Sequence, residues 1–225
     1  MLASSVSEQT VVKPLEPSKS VFFLELPKDL MNCREFVLKG DPQDHAVLCT
    51  DVATFRIRQV QTSNTSLFCR QNEENDLKVE IESQIYYELE RLVPDLSNMV
   101  YLLESSPFGD ISSSEPDDKL REERVMSSFQ ASDAEISSLL ESQDALIIDG
   151  CWRIIAPAYL MGFLEMVIAN CILADVDPKV APFGKLMELM NDCDPEYPEY
   201  IREHILKSYT KDVDGQRITD AAKVC

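Results

Sequence analysis

The side chains that most often perform chemistry are few in this sequence. It contains only two histidines, His45 and His204, which are separated by most of the chain. General bases and metal sites often use histidine, so both roles are constrained, and we interpret both histidines as structural or surface residues. The patterns GxGxxG, GxxxxGK[ST], HExxH and GxSxG are absent, and six glycines leave little material for phosphate-binding loops.

Carboxylates and cysteines do not point to catalysis either. The adjacent acidic pairs lie in polar segments or on predicted helix surfaces, and we interpret them as solvated charge: Glu73-Glu74, Asp117-Asp118 and Glu122-Glu123. Seven cysteines without a CxxC pair lie mostly in apolar stretches, which is typical of small buried hydrophobic residues. A cysteine nucleophile beside a histidine stays open as an alternative, without a local signature. The sequence therefore predicts no enzyme, no cofactor and no metal site.

Charge limits the class of partner. The 225 residues include 40 acidic and 21 basic side chains, the formal net charge is −19, and the acidic excess extends over both halves. Duplex DNA binding needs lysine and arginine gathered on one surface, so a single rigid DNA-binding face is not expected. With 44% hydrophobic residues the chain can bury a core.

No segment has the pattern of a membrane span or a secretion signal. The longest apolar run, residues 161–174, is interrupted by Glu165 and Asn170 and is short of the roughly 20 residues that a bilayer requires. The first twenty residues lack a charged stretch followed by an apolar one. We expect no membrane association and a reducing compartment, the cytosol or the nucleus.

Residues 20–104 have the pattern of short strands, after a loose tail at residues 1–19. Segments rich in Val, Ile, Leu, Phe and Thr recur between turn residues that include Pro27, Ser63-Asn64 and 72–76. TFRIRQV at 54–60 alternates apolar and polar residues, as a half-buried strand requires. Residues 84–93 fit a strand better than a helix, and Pro94 then opens a short helix. Such strands are typical of an antiparallel barrel-like or sandwich domain, and their apolar edges need cover, which strands from a partner would complete.

The second half changes to a helical pattern after a Ser-, Pro- and Asp-rich linker at residues 105–118. A capping box at Ser132 to Glu135 starts a helix, and Asp149-Gly150 suits the turn of a hairpin over 145–155. Pro157 then opens a further, apolar helix that extends through Cys171. Helix, capped helix and hairpin are the order of a winged helix, predicted at residues 119–175. Plain helix pairs followed by hairpins have the same order, so this signal is not unique.

Residues 176–225 are predicted to be helical, with helices at about 178–191 and 198–209. Thr219-Asp220 then has the pattern of a further helix, which the last six residues are too few to complete. We therefore interpret this segment as the start of an incomplete second winged helix, in a chain truncated at its carboxyl end. The overall prediction is an α+β protein.

Trp152 is the only tryptophan and lies beside Arg153 on the second arm of the predicted hairpin. Its ordinary role is to pack the wing against the helices. The alternative, functional interpretation is an interface anchor, since Trp and Arg dominate the hot spots of protein interfaces. The neighbouring basic residues, Arg121 and Arg124, alternate with acidic ones, so protein recognition fits this module better than phosphate binding.

Several stretches resemble one family, the sister-chromatid-cohesion subunit of the alternative clamp loader. They occur in the same order over residues 20–225: FLEL (23–26), VLKGDPQDHAVLCT (37–50), FRIRQVQTSNTSLF (55–68), QASDAEI (130–136), GCWRI (150–154) and HILKSY (204–209). None is a chemical motif, and the specificity lies in their order and spacing.

The resemblance implies a non-catalytic nuclear subunit. Family members form a composite barrel with a small partner subunit and with the carboxy-terminal tail of the large clamp-loader subunit. The assembly loads or unloads the sliding clamp during DNA replication, contacts DNA polymerase epsilon and supports sister-chromatid cohesion. Winged helices follow the barrel, and the later ones, associated with DNA contact, are missing here. Direct DNA binding is therefore expected to be weak or absent.

These considerations define a predicted partner interface of apolar strand residues and the wing: Phe22, Phe23, Val47, Leu48, Phe55, Ile57, Leu67, Phe68, Trp152 and Arg153. The alternative function is a winged-helix nucleic-acid-binding protein, whose binding would fall steeply with salt.

Overall fold

The chain forms two compact units in the computed structural model. The described residues are 12–13, 23–31, 33, 35–40, 45–71, 77–191, 196–213 and 216–220. The first unit comprises Met1–Pro94 with Gln130–Asp133, and the second comprises Asp95–Phe129 with Ala134–Cys225. The prediction of a mixed α+β protein is confirmed.

The first unit is built on a six-stranded sheet. Its strands are β1 (Val12–Lys13), β2 (Leu24–Glu25), β3 (Val37–Lys39), β4 (Val47–Cys49), β5 (Thr54–Gln71) and β6 (Leu77–Leu92). The strand order is β1-β6-β5-β4-β3, and β2 also pairs with β6. The pairs β3–β4, β4–β5 and β5–β6 are antiparallel, whereas the short strands β1 and β2 lie parallel to β6. Short strands therefore surround one long central hairpin.

The hairpin strands are far longer than the sequence predicts. β5 has 18 residues and β6 has 16, against about 5–6 in an average strand. The predicted turn at Ser63-Asn64 is wrong, because β5 continues through it with a shift of register between Gln61 and Ser66. Such a bulge accommodates extra residues in one strand without ending the pairing. The segment 84–93 is a strand, as its alternation predicts.

The sheet of the first unit is open. Among the described residues the strands at its two ends do not pair with each other, so the chain alone closes no barrel. The buried core on one face is small, with Leu30, Leu48, Ala53 and Phe55 inside and Phe36, Ile57 and Leu89 packed against them. Sheets with so little buried apolar area are marginal by themselves.

The second unit is mainly helical. Its elements are α1 (Ser97–Ser105), α2 (Val125–Ser128), α3 (Asp133–Ser142), β7 (Leu146–Ile148), β8 (Cys151–Arg153), α4 (Pro157–Leu173), α5 (Phe183–Leu189), α6 (Glu199–Ser208), β9 (Thr210–Val213) and β10 (Gln216–Thr219). α3 begins at Asp133, a residue of the first unit. The largest core cluster joins α4, α5 and α6 and includes Phe163, Met190 and Ile201, all fully buried. No helix in the described ranges has the length and apolar character to cross a bilayer.

The hairpin turn predicted in this unit is confirmed. β7 and β8 form the predicted hairpin, with positive φ angles of 52° at Asp149 and 76° at Gly150. A positive φ at both central positions is what a type I′ turn requires. The helices at Pro157–Leu173 and Glu199–Ser208 also lie where the sequence predicts them.

Two segments differ from their sequence patterns. Residues 105–118, whose composition predicts a linker, lie inside the second unit, where Phe108 donates to Ile154 O and accepts from the Ala156 amide, each at 2.8 Å. Thr219 ends strand β10 instead of starting a helix, because β10 pairs with β9 along its whole length. Residues 221–225 lie outside the described part.

Candidate protein interface

One face of the six-stranded sheet carries an apolar groove, here called the sheet groove. It has a volume of about 420 Å³ and is lined by Leu24, Leu38, His45, Ala46, Leu48, Ile57 and Tyr87. Leu38 is 68% exposed and Leu24 is 37% exposed. An open groove with these side chains is a surface that another apolar segment can cover.

Strand register explains why these side chains meet. Residues paired across neighbouring strands point to the same face of a sheet. Leu38 pairs with Leu48, and Leu48 pairs with Phe55. Further along β6, Ile57 pairs with Leu89, while Gln59 and Leu24 both pair with Tyr87. One row of apolar residues therefore runs across the sheet.

The sheet groove continues the core of the first unit. Leu30, Ala53 and Phe36 cover the end of the row that contains Phe55. No described residue covers the other end, at Leu24 and Leu38, to the same degree. The row is thus a core at one end and an open surface at the other. Missing apolar cover of this kind is expected where a partner supplies the rest of the core.

The outer part of the β5–β6 hairpin, residues 58–71 and 77–88, is here called the β-arm. Leu67 and Phe68 on it are 53% and 46% exposed. The Phe68 ring stacks on Phe23, with ring centroids 3.8 Å apart. Among the described strands, β5 pairs only with β6 beyond Arg56, so one edge of this strand has no described neighbour. A long strand edge of this kind is a template for pairing with another chain.

The polar face of the β-arm is held by cross-strand ion pairs. Arg58 Nη2 lies 2.9 Å from Glu88 Oε2, and Arg70 Nε lies 3.0 Å from Glu80 Oε1. These pairs are exposed and contribute little free energy, but opposite charges across the strands fix the register. These pairs therefore favour one register of the two strands of the β-arm.

The predicted interface residues have different positions in the structure. Val47, Leu48 and Phe55 are 4–5% exposed, so they are buried within the first unit in this conformation, although Leu48 also lines the sheet groove. Leu67 and Phe68 are exposed, Phe23 and Ile57 are half-buried, and Phe22 lies outside the described residues. Leu24, Leu38 and Tyr87 line the sheet groove and were not predicted.

Arg153 serves the fold of the second unit. Its Nε donates to Ser106 O at 3.0 Å and its Nη2 donates to Pro107 O at 3.1 Å. The guanidinium also lies 5.5 Å from the centroid of the Phe108 ring. These three contacts position the chain after α1, and the role of Arg153 as an interface anchor stays a prediction.

Trp152 is half-buried on β8, opposite Ile147. Its Nε1 is buried and has no hydrogen-bond acceptor among the described residues. A partner at the surface does not reach a buried N–H, so the polar end of this tryptophan does not form a surface anchor. The structure thus favours packing of the β7–β8 hairpin as the role of Trp152.

The charge around α3 is acidic. α3 contains Asp133, Glu135 and Glu141 and has no lysine or arginine. Asp118 binds both basic neighbours, since it accepts from Arg121 Nε at 2.6 Å and also contacts Arg124. The hydrogen bond and the charge of Asp118 raise the pKa of Arg121 further above its ordinary value. Asp118 balances the positive charge of these two arginines, so they form no basic patch.

The two histidines belong to different units. His45 lines the sheet groove, and His204 lies on α6 with its Nε2 3.1 Å from Asp144 O. Within the described residues no cluster of three His, Cys, Asp or Glu side chains has the arrangement of a metal site. Of the described cysteines, Cys49, Cys151 and Cys171 are buried as predicted, whereas Cys69 is exposed and Cys33 is half-buried.

We expect the pair between His204 and Asp144 to make stability depend on pH. The Asp144 carboxylate, 3.4 Å from His204 Nε2, raises the pKa of His204 above its usual 6.5, while burial and Lys207 oppose this. Because the pKa of His204 is higher in the folded than in the unfolded chain, protonation of this side chain stabilises the fold. The contribution is fully present below about pH 6.5 and is lost as the pH rises through the pKa of the folded state.

The test compares the wild type with Asp144→Asn, which keeps the acceptor for Ser208 and tolerates the φ of 51° at this position. The variant should lose a few tenths to about 1 kcal/mol of unfolding free energy at low pH and much less at high pH. Urea denaturation at about pH 5.5 and about pH 8.5 measures the difference. An equal loss at both values would contradict the role of the charge.

The chain resembles known proteins over most of its length. A family model described as "Sister chromatid cohesion protein Dcc1" matches residues 21–225. The curated human protein named sister chromatid cohesion protein DCC1 is 32% identical over 223 residues, covering 89% of this chain and 56% of the human protein. A probable DCC1 of Dictyostelium discoideum is 27% identical, over 87% of this chain and 52% of its own length. The DCC1 of Danio rerio is 28% identical, over 89% and 56%. The chain spans about half the length of these relatives.

Proposed function

Because the chain belongs to the Dcc1 family of sister chromatid cohesion proteins, we propose that it is a non-catalytic, nuclear subunit of an alternative clamp loader. In this role it acts through protein contacts and supports loading or unloading of the sliding clamp during DNA replication. Sister-chromatid cohesion depends on that assembly. DNA polymerase epsilon is a further partner, and the sliding clamp is contacted indirectly.

The sheet groove is the observation that carries this proposal. An apolar row is buried around Phe55 and open at Leu24 and Leu38, and the β-arm beside it has an edge without a described neighbour. Strands from a small subunit and from the tail of the large clamp-loader subunit would cover the row and pair with that edge. The product is a composite barrel with a shared core.

The second unit is proposed to contain two winged helices. The order α1, α2, α3 and β7–β8, with a bridge from Arg121 to Cys151, matches the order of that fold. The order α4, α5, α6 and β9–β10 repeats it, with a bridge from Pro182 to Ile218. In both sets the segment after the first helix forms a bridge to the hairpin and so adds a short third strand to it. This shared feature is the reason for the assignment.

Co-expression tests the proposed assembly. The chain is produced together with the small subunit and the tail of the large subunit, and the mixture is separated by size exclusion. We expect the three chains to elute together, because the sheet groove then has its cover. Elution of this chain alone as a stable monomer would refute the composite barrel.

Cys69 provides a footprint of the same assembly. It is exposed on the β-arm directly after Phe68. We expect assembly to slow its reaction with iodoacetamide by about tenfold or more, since a thiol that is covered by another chain reacts slowly. Mass spectrometry of digested protein measures each cysteine separately. Cys33, which lies outside the β-arm, is the internal control and should react at an unchanged rate.

Weak DNA binding is a further expectation. The acidic α3 and the compensated Arg121 and Arg124 leave the first winged segment without a phosphate-binding patch. We expect duplex DNA to bind with a dissociation constant weaker than about 100 µM even at about 50 mM salt. Fluorescence anisotropy with a labelled duplex measures this. Tight binding that weakens steeply with added salt would instead support the nucleic-acid-binding alternative.

A further inference from the structure

A second groove of the first unit, here called the acidic groove, has a different character from the sheet groove. It has a volume of about 620 Å³ and is lined by apolar residues, among them Leu30, Val37 and Val52, and by four carboxylates: Asp29, Glu35, Asp51 and Asp133. Val37 and Val52 are 47% and 61% exposed. The acidic groove therefore combines apolar contact area with negative charge.

Among the described residues of the lining, only one cation opposes this charge. Lys39 Nζ donates to Ala131 O at 2.7 Å and lies 3.0 Å from Asp133 Oδ1, and its side chain is 9% exposed. Lys39 is thus committed to residues 131–133. Asp29, Glu35 and Asp51 are exposed and form no ion pair with a described residue. Three carboxylates of the acidic groove remain for a ligand of positive charge.

A strand edge borders the same groove. β3 contributes Val37 and Lys39 to the lining and ends the sheet on the side away from β4, as far as the described strands extend. An extended segment that adds to such an edge gains main-chain hydrogen bonds, and its alternate side chains enter the neighbouring groove. Edge, apolar lining and negative charge together specify the occupant.

We propose that the acidic groove binds an extended polypeptide segment of a partner protein, in which the alternate positions that face the groove carry both lysine or arginine and apolar side chains. The segment adds to the edge of β3, its apolar side chains contact Val37 and Val52, and its cations pair with Asp29, Glu35 and Asp51. A nucleic acid does not fit, because its phosphates would meet carboxylates. This inference does not rest on the composite barrel, since the sheet groove has a different lining.

A synthetic peptide with lysine and valine in turn at every second position and serine between them, labelled with a fluorophore, tests the proposal by anisotropy with the full chain. The groove variant carries Asp29→Asn, Glu35→Gln and Asp51→Asn. Its matched control carries Glu104→Gln, Glu115→Gln and Glu122→Gln, which changes net charge equally at exposed positions of the second unit. We expect the groove variant to bind about tenfold more weakly, the order that three exposed ion pairs supply, and the control variant within about twofold of wild type.

Cysteine footprinting locates the bound peptide. Cys33 lines the acidic groove, so the peptide should slow its reaction with iodoacetamide and leave Cys69 on the β-arm unaffected. No peptide binding, equal weakening in both variants, or equal binding of a glutamate–valine peptide would overturn the proposal. Protection of Cys33 that rises with the concentration of the chain alone would indicate a second copy as occupant and would also overturn it. If the three chains do not assemble but the peptide still protects Cys33, only the composite barrel is refuted.

Discussion

Replacing Gly109 with alanine is expected to destabilise the second unit severely. A Cβ at this position would lie 2.4 Å from Tyr159 Cδ2 and 2.5 Å from Cγ, and the backbone φ is +85°. Tyr159 has little freedom to move, because its ring packs edge-on against Phe108 and its hydroxyl donates to Glu196 O at 2.5 Å. We expect a loss of about 3 kcal/mol or more of unfolding free energy, from overpacking and backbone strain together.

Gly150→Ala is the matched control for this prediction. Gly150 also has a positive φ, of +76°, but an added Cβ there meets nothing within 4 Å. This variant should lose only about 1 kcal/mol, the cost of the backbone conformation. Urea denaturation followed by circular dichroism compares the two. Similar losses of unfolding free energy would mean that the contact with Tyr159 adds nothing to the cost of the backbone conformation at Gly109.

Local signals predicted local structure well. The Asp149-Gly150 turn and the helix opened by Pro157 depend on neighbouring residues alone, and both lie where the sequence places them. Ser63-Asn64 has equally good turn residues, yet β5 passes through them as a bulge. The reason is the pairing on both sides, where β6 holds Gln61 and Ser66 in one ladder. Turn propensity is weak compared with such flanking pairs.

The candidate interface needed the register of the sheet. Alternation in residues 54–60 places Phe55 and Ile57 on one face, but it does not tell which end of that face is covered. Leu30 and Ala53 cover Phe55, so that residue is core and not interface. Leu24 and Leu38 become groove residues only because they pair with Tyr87 and Leu48. Contacts between segments distant in sequence decided these roles.

Placing two carboxylates in the sheet groove should abolish the three-chain assembly. The double variant Leu24→Asp with Leu38→Asp introduces charges where partner strands would bury apolar residues. Each leucine contributes about 1.5–3 kcal/mol when fully buried, and an unpaired buried charge costs more. We expect binding of the small subunit and the large-subunit tail to weaken by at least about a hundredfold, which corresponds to about 2.7 kcal/mol.

The structure separates this effect from simple unfolding. Leu38 is 68% exposed and Leu24 is 37% exposed in the chain alone, so the unfolding free energy should fall by no more than about 1 kcal/mol. Met161→Asp with Ile172→Asp is the matched control, at two residues of α4 that are 56% and 69% exposed. Co-purified partner is measured for both variants, beside urea denaturation of each. Only the groove variant places charge in the proposed shared core. If as much partner co-purifies with the groove variant as with the control variant, the sheet groove is excluded as the site where partner strands bind.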